Sequence, residues 1–177
     1  MDAIVEAALR KWPKVPHCHG WLALDARGQW FMRDERIQAT GPFPRVKGSR
    51  IEHDKLRAFI ERNYGCDEAG AWYFQNGPQR VYVELEAAPF VWRVDAAPRW
   101  PVQSHTGLAA QVQDCWLDDG GRLFLATDIG FGIVHTLDMG IAAQAVEAGD
   151  WVPIELPFSQ MPERFGYRLK PQVAAAD

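Results

Sequence analysis

Trp21-Leu22-Ala23-Leu24-Asp25-Ala26-Arg27-Gly28-Gln29-Trp30-Phe31-Met32-Arg33 decides the fold class. Two apolar runs flank Asp25-Ala26-Arg27-Gly28, and such a loop predicts an antiparallel hairpin, because Asp and Gly tolerate the backbone angles of a tight reversal. A second hairpin is predicted further on, from Val112–Leu117 through Asp118-Asp119-Gly120-Gly121 to Arg122–Thr127. Between them, Ala71–Phe74, a turn at 75–79 and the strictly alternating Val81–Glu86 read as two more strands. The alternation points Val81, Val83 and Leu85 at the core and Glu84 and Glu86 at a solvated face, where a catalytic carboxylate pair is the rarer alternative. Phe90–Val94 and Ile133–Val134 are further strand candidates.

Helices are predicted where the apolar period changes to 3.6. Ile4, Val5, Ala8, Leu9 and Trp12 form one stripe, with Asp2 as N-cap and Pro13 as terminator. Ser49 and Glu52 have capping-box spacing before the stripe of Leu56, Phe59 and Ile60, and Gly65 follows as a C-terminal signal. Asp138 caps a third helix that carries Ile141, Ala142, Ala145 and Val146 and ends at Gly149. The Pro- and Gly-punctuated stretch 40–48 reads as a long loop, and residues 152–169, with three prolines, as an extended wrap with one edge strand. These elements predict an α+β fold, a largely antiparallel sheet of about six to eight strands packed by two or three helices. One domain is expected over residues 1–172, with a frayed tail at 173–177.

The chain has 177 residues, 47% hydrophobic and 24% charged, enough to bury a core without cross-links. Cys18, Cys66 and Cys115 are odd in number and show no C-x-x-C spacing, so they suggest neither a disulfide framework nor a zinc knuckle, and a reducing compartment fits. The N-terminus lacks the basic start and apolar run of a secretory signal, and no window has the roughly 20 apolar residues of a membrane span. The expectation is a soluble cytoplasmic protein. A net charge of −4 offers no general attraction to nucleic acid or anionic membrane, and neither partner is expected. Charge is uneven: residues 27–62 hold nine basic against five acidic side chains, residues 111–155 one against eight. The asymmetry fits a basic binding face, two segments packing together, or contact with a second copy of the chain.

Leu24-Asp25 and Leu117-Asp118, 93 positions apart, are each followed by a Gly three residues after the aspartate and a Phe seven residues after the leucine, Gly28 and Phe31 in one and Gly121 and Phe124 in the other. An internal duplication explains this, and so does convergence of hairpins with polar turns. The stretches 21–34, 72–86 and 123–140 resemble a bacterial family, of proteobacteria, whose members are proteins of unknown function. The resemblance spans most of the chain, implies a free-standing bacterial cytoplasmic protein, and carries no site residues with it.

Candidate chemistry is sparse. His17-Cys18-His19 has metal-binding residue types, but in an extended chain only His17 and His19 share a face, so a metal site needs His53, His105, His135 or a carboxylate to complete it. The bland alternative is a loop before a strand. Arg45, Lys47, Ser49 and Arg50 lead into a helix N-terminus, which favours anions, although the pattern of a phosphate loop is missing. Cys66 and Cys115 lack an evident histidine partner, and no Gly-x-Ser-x-Gly elbow nominates a serine. Asp118-Asp119-Gly120-Gly121 is turn chemistry, without the ligand spacing of a calcium loop. Of the eight tryptophans most fall in predicted elements, whereas Trp100 and Trp151 lie in irregular segments and are candidates for a partner surface. The residues therefore favour a non-catalytic binding or regulatory module acting through an aromatic face, for which a homodimer is one expected form and no cofactor is expected. The alternative is a small enzyme, metal-assisted or not, that combines His19, His105 or His135 with carboxylates.

Overall fold

The computed structural model describes residues 1–96 and 98–172. The expected frayed tail, 173–177, lies outside the described residues. The fold is α+β, and among the described residues there are two sheets of six and seven strands and five α-helices, none of them long and apolar enough to cross a membrane. The strands counted into one sheet thus belong to two. The chain divides into two compact units: residues 1–25, 29–86 and 167–172, and residues 26–28 and 87–166.

The first unit runs α1 (Ala3–Lys11), β1 (Cys18–Leu24), β2 (Trp30–Met32), α2 (Glu35–Thr40), β3 (Ser49–Arg50), α3 (Asp54–Arg62), β4 (Tyr64–Cys66), β5 (Trp72–Asn76) and β6 (Gln79–Leu85). Its sheet has the order β3-β2-β1-β6-β5-β4, with β1 parallel to β6 and the other pairs antiparallel. The predicted hairpin is present, Leu24 opposite Trp30. α1 follows the prediction in extent, yet only Val5 of its stripe is buried; Ile4 is 76% and Trp12 51% exposed. Asp2 sits at the N-cap position without capping, because its carboxylate accepts from Arg62 and Asn63 instead.

The capping box at Ser49 and Glu52 is not used. Ser49 and Arg50 pair with Met32 and Phe31, the Ile51 N–H donates to the Trp30 carbonyl, and α3 starts only at Asp54, where His53 Nδ1 accepts from the Leu56 N–H at 3.3 Å. Completing a sheet edge supersedes a local cap that satisfies one or two amides. Gly65 correspondingly lies in β4, and the helix closes at Asn63. α2 was not predicted; its signals are Asp34, whose Oδ1 accepts from the Ile37 N–H at 2.9 Å, and Gly41 after its last turn.

The second unit runs β7 (Phe90–Val94), β8 (Val102–Ser104), β9 (Ala109–Ala110), β10 (Val112–Leu117), β11 (Leu123–Thr127), β12 (Gly130–Val134), α4 (Met139–Glu147), β13 (Pro153–Glu155) and α5 (Met161–Arg164). The order is β13-β10-β11-β12-β7-β8-β9. Only Gln111 separates the outermost strand β9 from β10, so the sheet curls back on itself. Its core holds Trp92, Phe124, Leu125 and Ile133, and an aromatic cluster continues from Phe124 through Phe131 and Phe165 to Trp116. The predicted second hairpin, the third helix and a single edge strand in the proline-rich wrap are present, but that wrap also holds α5, and Asp138 does not cap the helix, because its carboxylate accepts from Arg93 and the Val94 N–H instead.

The two units repeat one topology. In each a hairpin (β1-β2, β10-β11) is joined antiparallel by a third strand (β3, β12), a helix follows (α3, α4), and a later strand (β6, β13) pairs parallel with the first. The hairpin register matches at the 93-residue offset, Leu24 facing Trp30 and Leu117 facing Leu123, and the third strand joins at the equivalent phenylalanine, Phe31 facing Arg50 and Phe124 facing Ile133, although these two partners lie 83 positions apart. The turns match as well. Asp25 Oδ1 accepts from the Gln29 N–H at 2.9 Å and Asp118 Oδ1 from the Arg122 N–H at 2.7 Å, and Gly28 and Gly121 both have φ of 74°. Glu86 and Leu156 each donate their N–H to the leucine carbonyl that ends the first strand. Correspondence at this level is what duplication predicts, and chance similarity of two turns does not require it.

Candidate functional site

Trp100 and Trp151, the tryptophans that predicted elements explain least, line one cleft of ≈ 730 Å³ in the second unit. Its walls are the turn Pro98–Pro101, the chain from Ala110 at the end of β9 to Cys115 in β10, and Asp150–Val152. The turn is unusual: Arg99 and Trp100 have φ of 71° and 52°, left-handed conformations that cost non-glycine residues about 1–3 kcal/mol each and concentrate at functional sites. The Trp100 indole N–H donates to Asp150 Oδ2 at 2.8 Å, which fixes the half-buried ring across the cleft, while Trp151 is 93% buried and forms its floor. β13 pairs with β10 only at Cys115, Trp116 and Leu117. The preceding segment Val112–Asp114 has its side toward the cleft uncovered by any strand among the described residues. Arg99 is the one basic side chain in the lining, against Asp114 and Asp150.

A second pocket, ≈ 290 Å³, lies within the first unit. Between Cys18 and Leu22 the pairing of β1 with β6 slips, so that His19, Gly20 and Trp21 bulge opposite Tyr82, with Gly20 at φ 78°. Arg33 enters from the end of β2, Glu84 from β6 and Lys170 from the returning chain. Glu84, expected at a solvated face, is instead buried. Arg33 Nη1 donates to its Oε2 at 2.6 Å, with side-chain exposures of 3% and 7%, and Lys170 Nζ stands 3.8 Å from its Oε1. Val83 and Leu85 are buried as the alternation predicts and Val81 is half-buried, but Glu84 shares its surroundings with Arg33, Gln38, Gly41 and Lys170 rather than with open solvent. Arg33 also donates to the Val46 and Gly41 carbonyls at 3.2 and 2.8 Å.

The remaining candidates disperse. His17 and His19 share a face, as the alternation requires, and both rings lie on Tyr82, at centroid distances of 5.9 and 4.5 Å. Burial and the neighbouring His17 lower the His19 pKa. No group of three His, Cys, Asp or Glu side chains among the described residues is arranged to hold a metal. Lys47 lies between Asp25 and Glu86, 3.0 Å from each, Ser49 and Arg50 belong to β3, and Arg45 is exposed. The helix N-terminus that was to unite Arg45, Lys47, Ser49 and Arg50 begins later, at Asp54. His105 Nδ1 accepts from the Val91 N–H at 3.2 Å, and burial pushes its pKa down to about 3. His135 Nδ1 accepts from the Leu137 N–H at 3.1 Å, at the start of the turn before α4. Burial raises all three thiols, Cys115 to about 12. Sequence reasoning missed Arg33 and Lys170, and Arg33 carried a usable signal as a charged residue ending an otherwise apolar strand.

The class this architecture defines is a two-unit α+β protein with a repeated sheet topology and clustered aromatic side chains. The chain belongs to the family DUF2944, described as "Protein of unknown function (DUF2946)", which it matches over residues 1–172. It is similar to the crystal structure of a DUF1285 family protein from Silicibacter pomeroyi DSS-3, at 14% identity, covering 80% of this chain and 83% of that one with a TM-score of 0.50. A DUF1285 family protein from Shewanella baltica OS155 matches at 15% identity, over 70% of this chain and 91% of that one, with a TM-score of 0.48. The first likeness concerns the fold alone. No curated protein matches the chain.

Proposed function

We propose that this is a non-catalytic binding module of the bacterial cytoplasm, and that the cleft of Trp100 and Trp151 takes an extended, basic peptide segment of a partner protein. The observation that carries the reading is the convergence of the two tryptophans on one cleft whose turn holds two consecutive residues in left-handed backbone. Chemistry supplies the ligand class. Tryptophan faces attract cations, two carboxylates outweigh one arginine, and residues 111–155 carry one basic against eight acidic side chains. The uncovered edge at Val112–Asp114 supports an extended backbone as the binding form, since a strand edge offers N–H and C=O groups to a peptide.

The test is titration with a blocked hexapeptide of alternating Arg and Val, its Glu-for-Arg counterpart as control, followed by the indole N–H resonance of Trp100. Saturable movement with the basic peptide only, weakened roughly tenfold or more in Trp100→Ala, is the expected result. No movement, or equal response to both peptides, rejects the reading.

We extend the proposal to self-association, on the support of α1, whose exposed Ile4 and Trp12 leave an apolar stripe for a second copy to cover. Light scattering gives twice the chain mass if this holds and a strict monomer at high concentration if it does not.

A further inference from the structure

We propose that the first unit carries a second binding site, independent of the tryptophan cleft, in which Arg33, Lys170, His19 and Gln38 receive a small oxyanion, carboxylate or phosphate, of a metabolite-sized molecule. The argument begins with a cost. Arg33 and Glu84 form an ion pair with both side chains more than nine-tenths buried, and removing two charges from water offsets most of their attraction. Stability alone gives weak reason to place such a pair in a sheet. The pair does, however, hold a guanidinium rigidly at the wall of a pocket, anchored at once on Glu84, Val46 and Gly41. A guanidinium has five N–H groups, and these three bonds use three of them.

Charge and geometry then select the ligand. Among the described lining residues Arg33 and Lys170 oppose one carboxylate, Glu84, a net charge of one positive unit with His19 neutral. The lowered pKa of His19 keeps its imidazole uncharged at neutral pH, where it serves as a hydrogen-bond donor rather than a third cation. Lys170 is 61% exposed, and its 3.8 Å separation from Glu84 is too long for a hydrogen bond, leaving the ammonium available to an incoming anion. Gln38, held by donation of its Nε2 to the Arg33 carbonyl at 2.9 Å, lines the same space. The bulge at His19–Gly20 opens the pocket, and glycine suits position 20 because its φ of 78° is left-handed, while a Cβ there would also push Gln38 Oε1 aside from 2.6 Å. A volume of ≈ 290 Å³ admits a ligand of metabolite size and no macromolecular segment.

The experiment titrates the full chain with sodium acetate and, separately, inorganic phosphate, with choline chloride as control, reading the amide resonances of Gly20 and Gly41 and the ring of His19. Saturable shifts with one or both oxyanions, with dissociation constants on the order of 1 mM, are expected, and the better of the two names the source chemistry. Lys170→Gln, at an exposed position, is expected to weaken binding roughly tenfold. Glu84→Gln, which removes the one carboxylate among the described lining residues while keeping an oxygen for Arg33, is expected to tighten it, and weaker binding in that variant counts against the proposal. Absence of saturable shifts with both oxyanions, unchanged affinity in Lys170→Gln, or a response to choline overturns the proposal. Trp100→Ala leaves these shifts unaltered, which separates this site from the cleft.

Discussion

The Trp92 indole lies across Gly132 and donates its N–H to the Leu125 carbonyl at 3.2 Å, linking β7 to β11 over the intervening β12. A Cβ at position 132 would come 2.5 Å from Nε1 and 2.6 Å from the Phe90 carbonyl. Gly132→Ala is therefore expected to destabilise by about 1–3 kcal/mol or more, since neither the ring nor the backbone can yield inside a filled core. Trp92→Phe removes the indole donor while the sheet ladder still reaches Leu125, and is expected to lose about 0.5–1.5 kcal/mol for the hydrogen bond, beyond the loss of ring packing. Trp116→Phe should be milder, because the buried Trp116 Nε1 has no hydrogen-bond partner among the described residues. Urea unfolding of the three variants checks the order.

His105 predicts acid sensitivity well above the carboxylate range. Its folded pKa is about 3 against an ordinary 6.5, so between those values the unfolded chain binds a proton that the folded chain does not. Stability then falls as pH falls through this window, by about 1.4 kcal/mol per unit, and the group adds no pH dependence above 6.5. His19, lowered by burial and by His17, acts in the same direction. His105→Gln, whose amide oxygen can accept from Val91, is expected to flatten the slope in unfolding curves recorded between about pH 4.5 and 8.

Arg33 and Glu84 should be strongly coupled. Arg33→Met strands a buried carboxylate and is expected to cost about 3–5 kcal/mol, whereas the double substitution Arg33→Met with Glu84→Met should cost much less than the sum of the single ones. A double-mutant cycle by chemical denaturation measures the coupling, and additive effects would contradict it.

The repeated turns predict parallel responses. Asp25 and Asp118 are buried and accept from Gln29 and Arg122 at the equivalent turn position. Asp25→Ala and Asp118→Ala should each destabilise by about 1–3 kcal/mol, and the Asn substitutions by less, because Asn keeps the accepting oxygen. Thermal melts of the four variants compare the two units directly.

Much of the fold was legible because it is encoded locally. Both hairpins announce themselves through Asp and Gly at the reversal, the alternation from Val81 to Leu85 marks a strand, and the third helix carries its own apolar stripe and its stop at Gly149, whereas its expected cap Asp138 serves Arg93. The capping box at Ser49 misled because its residues were wanted by the edge of β2. The short strands β8 and β9 carry too few residues to show a period. Of the sites, Trp100 and Trp151 stood out by failing to fit an element, while His19 and Glu84 were each noticed without any sign that they shared a pocket.

By itself the sequence determined the α+β class, the two hairpins 93 residues apart and the tryptophans to watch, since turn chemistry and side-chain period act over a few residues. Only the tertiary structure decided that the strands form two sheets, that Glu84 is covered and paired with Arg33, and that Asp150 holds Trp100 in a cleft. Those relationships join residues about 50 positions apart, and which distant partners meet is set by strand order and by what each face must bury, quantities no local pattern contains.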